Sequence, residues 1–151
     1  SKATNSELVR NYSSWYNLPY AITYFYNVYG PGERGGKYGT IIEIFHQQHK
    51  EGTALTVVAP GSQKRNFTHI DDIVNGLLLV GKKGEGDEFG LGSDTAFSIL
   101  EVAQLFGRNI QMLPERSGNR MNTVLDTTRA RAIGWRAERT LAEYINSILN
   151  Q

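Results

Sequence analysis

Residues 20–32 read Tyr-Ala-Ile-Thr-Tyr-Phe-Tyr-Asn-Val-Tyr-Gly-Pro-Gly, an apolar run that ends in a turn sequence. The first nine of them are rich in aromatic and β-branched types, which predicts a buried β-strand over residues 20–28. Residues 2–16 show the apolar spacing of a helix, and Pro19 predicts its end because proline disfavours helical geometry in the residue before it. A helix, a buried strand and a glycine-rich turn in this order indicate an α/β protein.

Helices and short strands are expected to alternate along the rest of the chain. Apolar periodicity and capping signals predict helices at 40–51, from Asp71-Asp72 onward, from Ser98, from Asp126 to Gly134, and from Thr140. Extended segments are expected at 55–58, 65–69, 88–91, 109–113 and 121–125. The glycine-rich run 81–86 predicts a loop.

The composition argues against several kinds of partner and site. The 151 residues carry a formal net charge of +1, so no large field attracts nucleic acid or a membrane surface. There is no cysteine, which excludes disulfides and thiolate metal sites. His46 and His49 share a helix face without a third ligand at metal-site spacing, so no metal is expected. No apolar run reaches the ~20 residues that span a bilayer, and we expect a cytoplasmic location.

Five stretches resemble, in order, the NAD-dependent epimerase/dehydratase family of extended short-chain dehydrogenases/reductases. They are Ser1-Lys2, residues 24–32, 61–72, 114–119 and 126–135. The most specific is 61–72, Gly-Ser-Gln-Lys-Arg-Asn-Phe-Thr-His-Ile-Asp-Asp, which is similar to the family pattern Gly-x-Gln-x-Arg-Asp-Phe-x-His-Val-Asp-Asp. The stretch 126–135, Asp-Thr-Thr-Arg-Ala-Arg-Ala-Ile-Gly-Trp, is interpreted as architecture without chemistry of its own.

The resemblance implies that the chain is the carboxyl-terminal part of an NAD(P)-binding Rossmann fold. Residues 1–30 correspond to the end of the Rossmann sheet with the active-site helix. Residues 31–151 are then mainly a small, mixed α/β substrate-binding lobe, with a return to the sheet around 66–92. The expected domain organisation is therefore one carboxyl-terminal fragment over residues 1–151.

The resemblance also assigns a cofactor and a catalytic lysine. Lys2 matches the lysine of the family's Tyr-x-x-Ser-Lys segment, which lowers the pKa of the catalytic tyrosine and bonds the nicotinamide ribose. That tyrosine would fall three residues before Ser1, so it is absent from this chain. Phe25 and Tyr26 are the further expected contacts of NAD. Considered alone, without the other matches, Lys2 is interpreted as a solvated surface lysine.

Five residues are expected to contact the substrate, a UDP-sugar or related nucleotide sugar. They are Asn27, Arg65, Phe67, Arg116 and Asn119. Arginine suits a diphosphate because its planar fork meets two phosphate oxygens. Asn119 stands where the family usually has a ribose-binding aspartate.

Other positions near these motifs are interpreted differently. Tyr24 and Asn66 depart from the family's arginine and aspartate. His69 is interpreted as structural, hydrogen-bonded at a helix start. Asp71 and Asp72 are interpreted as helix caps.

The parent enzyme implied by the resemblance is an NAD-dependent nucleotide-sugar epimerase, of the UDP-hexose 4-epimerase type. NAD would oxidise the sugar at C4 and return the hydride to give the epimer. A nucleotide-sugar 4,6-dehydratase and a non-catalytic nucleotide-sugar-binding remnant are the alternatives. We expect a homodimer for the parent enzyme and no turnover by this chain alone.

Overall fold

The computed structural model describes residues 2–36, 39–115 and 125–150. The helices are α1 Lys2–Tyr16, α2 Ile41–Lys50, α3 Ile70–Lys83, α4 Ile99–Leu105, α5 Thr128–Ala132 and α6 Leu141–Leu149. The strands are β1 Ala21–Phe25, β2 Val28–Tyr29, β3 Leu55–Val58, β4 Lys64–Asn66, β5 Thr68–His69, β6 Gly86–Leu91, β7 Ala96–Ser98 and β8 Ile110–Leu113. Most of these elements agree with the sequence expectations, including the strand at 55–58.

Three of the four strand pairs are parallel, which confirms the α/β class. β1 pairs with β6, β2 with β5 and β3 with β8 in parallel, while β4 and β7 are antiparallel. The β1–β6 and β2–β5 pairs bring the first thirty residues beside the segment that follows residue 66. Parallel strands end at the same edge of a sheet, so β1 ends beside β6, and β2 ends beside β5.

The prediction of a single strand over residues 20–28 is wrong, because the structure has two strands there, β1 and β2. Asn27 lies between β1 and β2 with a φ of +49°. This left-handed geometry is unusual for a residue with a side chain, and asparagine tolerates it better than most. The chain therefore turns at Asn27 and continues beside a different strand.

The predicted start and end of α3 are also corrected. The helix begins at Ile70, and its cap is His69, whose Nδ1 accepts a hydrogen bond from the Asp71 amide at 3.1 Å. Neither predicted capping aspartate occupies the cap position. The helix runs through Lys83 to a cap at Gly84, so the predicted loop at 81–86 is shorter.

The other capping predictions fare better. Ser98 forms the full capping box with Glu101, and the Thr140 hydroxyl accepts a hydrogen bond from the Glu143 amide. Asp126 accepts from the Thr128 amide at 2.8 Å just before α5. Of the extended segment expected at 121–125, residues 121–124 lie outside the described residues.

The buried apolar side chains form two clusters. The larger cluster joins α2, β3, α4 and α6, with Phe45, Leu55 and Val102 fully enclosed. The smaller one joins α3, β6 and the segment around α5, with Leu91 and Trp135 at its centre. Helix α1 belongs to neither, and none of its fifteen residues is buried.

Candidate active site

A groove between α1 and β1 brings together the three residues predicted to meet NAD. Lys2, Phe25 and Tyr26 all line this groove, whose volume is about 580 Å³. Phe25 and Tyr26 are 42% and 47% exposed, so their rings are available to a bound molecule. The groove fits only part of NAD, because its ammonium group and two aromatic rings can contact one end of the dinucleotide.

Asn27 connects the β1–β2 turn to the most specific motif of the sequence. Its carbonyl accepts a hydrogen bond from the Thr68 amide at 3.2 Å, and its Nδ2 donates to the Asn66 carbonyl at 3.4 Å. Asn66 in turn donates through its own Nδ2 to the Ser93 carbonyl at 2.7 Å. The departure from aspartate at Asn66 thus supplies a donor that the carboxylate lacks.

The turn after Asn27 is packed tightly against the start of α3. Gly30 has a φ of +149°, and a Cβ placed there would lie 2.4 Å from Ile70 Cγ2. A larger residue would therefore push the turn away from β5 and α3. This close approach fixes the position of Asn27 relative to the 61–72 motif.

A cavity of about 420 Å³ adjoins the same turn. Tyr29, Glu33 and Thr40 contribute its polar lining. Within the described residues, the buried hydroxyls of Tyr29 and Thr40 have no hydrogen-bond partner. Burial is the largest cause that raises the pKa of Tyr29 well above its ordinary value, so this hydroxyl is neutral and can donate. Thr40 is distinguished in the sequence only by its place before the predicted helix.

Arg65 lies on β4 and is half-buried. Its Nη1 donates to the Lys64 carbonyl at 2.7 Å, and its strand pairs with β7 through Phe97. Arg65 follows the turn at Gly61 and precedes Asn66, the partner of Asn27. The predicted diphosphate contacts Asn27 and Arg65 are thus carried by segments that are hydrogen-bonded to each other.

Phe67 is placed differently from the expectation that it meets the substrate. Its side chain is 5% exposed and packs in the larger core cluster. Phe67 lies between β4 and β5 and begins a run of three consecutive buried residues that continues through Thr68 and His69. Phe67 therefore stabilises the motif, and the ring is not available to a ligand.

Asp72 has a larger structural role than the sequence indicated. This carboxylate is 2% exposed and accepts from the Glu138 and Arg139 amides, each at 3.0 Å, and from Arg139 Nη1 at 2.8 Å. Trp135 Nε1 also donates to the Asp72 carbonyl. Asp72 ties the segment before α6 to α3 and, through it, to the candidate site.

His69 is structural, as the sequence suggested. Its ring makes edge contacts with Tyr29 and Tyr144, and its Nδ1 is the α3 cap. Burial is the first cause of a lowered pKa for His69, so the neutral ring predominates at neutral pH. The rings of Tyr29, His69 and Tyr144 therefore hold β2, β5 and α6 together beside the candidate site.

Two predicted substrate contacts, Arg116 and Asn119, lie outside the described residues. No group of three or more metal-ligating side chains occurs within residues 2–36, 39–115 and 125–150. None of the helices in those ranges is long and apolar enough to cross a membrane.

The profile of the NAD-dependent epimerase/dehydratase family matches residues 1–92. That match includes α1, the Asn27 turn and the whole 61–72 motif. The chain belongs to this family. The family's chemistry is NAD-dependent. The matched residues include Lys2, which lines the groove beside β1, and Asn27 at the turn between β1 and β2.

Relatives within the family carry names from more than one reaction. A low-salt glycan biosynthesis protein of Haloferax volcanii is 30% identical over 91% of this chain and 46% of its own length. A protein of Methanocaldococcus jannaschii that carries the name of a UDP-glucose 4-epimerase is 27% identical over 99% of this chain and 51% of its own. A dTDP-D-glucose 4,6-dehydratase of Dictyostelium discoideum is 35% identical over 69% of this chain and 24% of its own length. The chain spans about half the length of the first two.

A solved structure shows the same fold. The UDP-glucose 4-epimerase of Thermotoga maritima, solved with UDP-glucose, superposes with a TM-score of 0.92 at 22% identity. The match covers 99% of this chain and 50% of that one. The chain therefore has the fold of one half of a Rossmann-type epimerase.

Proposed function

We propose that this chain is the substrate-binding, carboxyl-terminal half of an NAD-dependent nucleotide-sugar epimerase of the UDP-hexose 4-epimerase type. The observation that carries the proposal is the hydrogen-bonded union of the Asn27 turn with the Arg65-Asn66 strand. It joins the two segments that carry an amide and a guanidinium, the groups that suit a diphosphate. The remaining sequence, residues 31–151, forms mainly the substrate-binding lobe.

The residues of this chain have distinct roles in the proposed enzyme. Asn27 and Arg65 hold the diphosphate, with Arg116 and Asn119 as further contacts to phosphate and ribose. Lys2 holds a ribose hydroxyl and favours the ionised form of the family's catalytic tyrosine. Phe25 and Tyr26 shield the same groove from water. NAD, when bound, supplies a reversible hydride acceptor.

A homodimer in the cytoplasm is part of the proposal for the whole enzyme. Leu8, Tyr12 and Trp15 of α1 are 52%, 48% and 67% exposed, and a cluster of exposed apolar side chains is typical of a surface that another protein surface covers. A second subunit and the other half of the fold together account for the covering of this surface.

The first test is the affinity for UDP, measured by isothermal titration calorimetry with the chain and its Arg65→Ala variant. Loss of a charge-assisted contact with phosphate should weaken binding about tenfold or more. Arg108→Ala is the matched control, since Arg108 is an exposed arginine that donates to the His49 carbonyl. Equal UDP affinity for Arg65→Ala and the unaltered chain would show that the assignment of Arg65 is wrong.

A 4,6-dehydratase is the second candidate function, favoured by the 35% identity to the Dictyostelium enzyme. Both reactions begin with oxidation at C4, so residues 1–151 serve either one. Product analysis with the whole parent enzyme separates them. The epimerase interconverts UDP-glucose and UDP-galactose, whereas the dehydratase releases water and leaves a 4-keto-6-deoxy sugar.

A further inference from the structure

Helix α1 meets the β1–β6 pair with its polar side. Lys2, Ser6 and Arg10 recur every four residues, so they share one side of the helix, and all three line the groove over β1. Leu8 and Tyr12 lie on the other side and are exposed. Because no residue of α1 is buried, apolar packing within the described chain does not fix the position of this helix.

Polar side chains connect α1 to both strands of the pair. Arg10 Nη2 donates to Asp87 Oδ2 on β6, and the Asp87 side chain is only 15% exposed. Ser6 Oγ lies 3.5 Å from the Tyr24 hydroxyl on β1. Tyr24 itself is paired in register with Gly90 of β6. The connections thus converge on one place where the two strands adjoin.

Asp87 is a charged acceptor at neutral pH. Burial alone would raise the pKa of Asp87, but hydrogen bonds from Arg10, the Glu88 amide and the Tyr24 hydroxyl outweigh it and lower the pKa below its usual value. The carboxylate is therefore available to both Arg10 and Tyr24. A cavity lined by Arg10, Tyr24 and Asp87 marks the open side of this cluster.

We infer that Arg10 and Tyr24 are positioning residues that hold α1 on the sheet through Asp87 and thereby set where Lys2 lies in the groove. Ser6 Oγ, one turn from Lys2, also donates to the Lys2 carbonyl at 3.4 Å, which links the Tyr24 contact to the end of the helix. Tyr24 is the position at which this sequence departs from the family's arginine. Because Tyr24 carries a neutral hydroxyl where the family has a cation, the positive charge that pairs with Asp87 comes from Arg10.

The inference rests on the proposed function only for the importance of Lys2, and hydrogen–deuterium exchange tests it independently. Exchange is measured in the full 151-residue chain, comparing peptides from α1 with peptides from α4 and β3. Arg10→Met should speed exchange in α1 about two- to fivefold, the size expected for one partly exposed ion pair. Tyr24→Phe should act in the same direction, with α4 and β3 unchanged.

Two further variants separate positioning from a general loss of structure. Arg10→Lys keeps the charge and should restore slow exchange in α1, as should the exchanged pair Arg10→Asp with Asp87→Arg. Tyr12→Phe removes a hydroxyl from the opposite side of α1 and should have no effect. Unchanged α1 exchange in Arg10→Met, equal acceleration in every element, or failure of both rescues would overturn the inference.

The effect on Lys2 is read from its ¹³C signal after reductive dimethylation, assigned by its loss in Lys2→Arg. The signal should move in Arg10→Met and Tyr24→Phe and return in Arg10→Lys. A signal that is the same in all of these variants would also overturn the inference. The UDP titration compares the chain with Arg65→Ala, and none of the variants used here alters a residue assigned to the diphosphate, so a failure of the proposed function is recognised separately.

Discussion

The lobe formed by α2, β3, α4 and α6 and the region formed by α1 and β1 bury their side chains very differently. In the lobe, Phe45, Leu55 and Val102 are fully enclosed. In α1 no residue is buried, and Trp15 is 67% exposed. The lobe therefore contains its own core, whereas α1 and β1 require another surface to complete theirs. The chain spans about half the length of the first two relatives named above, and we propose that the other half of the family fold supplies that surface.

The largest expected effect comes from removing an aromatic side chain from the lobe. Phe45→Ala should lower the free energy of unfolding by about 3–5 kcal/mol, because it leaves a cavity in a closely packed core. Trp15→Ala should change it by no more than about 0.5 kcal/mol, since the ring packs on little in this chain. Urea unfolding of both variants gives the comparison. A loss for Trp15→Ala as large as that for Phe45→Ala would mean that α1 is part of the core.

The carboxylate that ties α6 to α3 should have the next largest effect. Asp72→Ala leaves the Glu138 and Arg139 amides without their acceptor, so unfolding should become easier by about 2–3 kcal/mol. Asp71 is the matched control, because its carboxylate is 55% exposed and Asp71→Ala should cost less than about 1 kcal/mol. Equal denaturation midpoints for the two variants would remove Asp72 from its role as the tie.

A smaller effect should follow the protonation of His69. Burial first, and then Arg139, lower its pKa in the folded chain, although Asp71 acts in the opposite direction. The folded state favours the neutral ring. The stabilisation is therefore present above the unfolded pKa of about 6.5 and is lost as the pH falls through the lowered folded value. Urea midpoints from pH 7.5 down to about pH 4.5 measure this loss.

His69→Asn is the informative variant for that pH series. Asparagine caps a helix but does not titrate in this range, so the decline in stability towards low pH should become shallower. His49, whose pKa is also lowered first by burial, remains in both proteins and contributes equally. Parallel pH profiles for His69→Asn and the unaltered chain would contradict the role given to His69.

The sequence predicted features that depend on local patterns better than those that depend on distant contacts. Helical periodicity placed α2, and the Ser98 capping box placed the start of α4, because both signals lie within a few residues. The role of Asp72 depends on Glu138 and Arg139, more than sixty residues away. No local pattern can indicate such a contact, so the sequence alone predicts only a helix cap at Asp72.

The candidate site shows the same division. The family motif pointed to Lys2, Phe25 and Tyr26, and the structure places all three in one groove. The family motif did not indicate that the Phe67 side chain is buried in the core. That burial depends on the turn at Asn27 and on the pairing of β4 with β7, which involve distant residues. Burial of the Thr40 hydroxyl likewise depends on packing that the sequence does not reveal.

The most direct test of the comparison between the two regions is NAD-dependent turnover by the chain alone. UDP-glucose and UDP-galactose are assayed with added NAD, using the same preparation that is titrated with UDP. If the lobe is complete and the α1–β1 region lacks its other half, the chain binds UDP but interconverts the two sugars no faster than a blank without protein. Sustained interconversion by the isolated chain would contradict the account, because it would show that residues 1–151 already contain a complete active site.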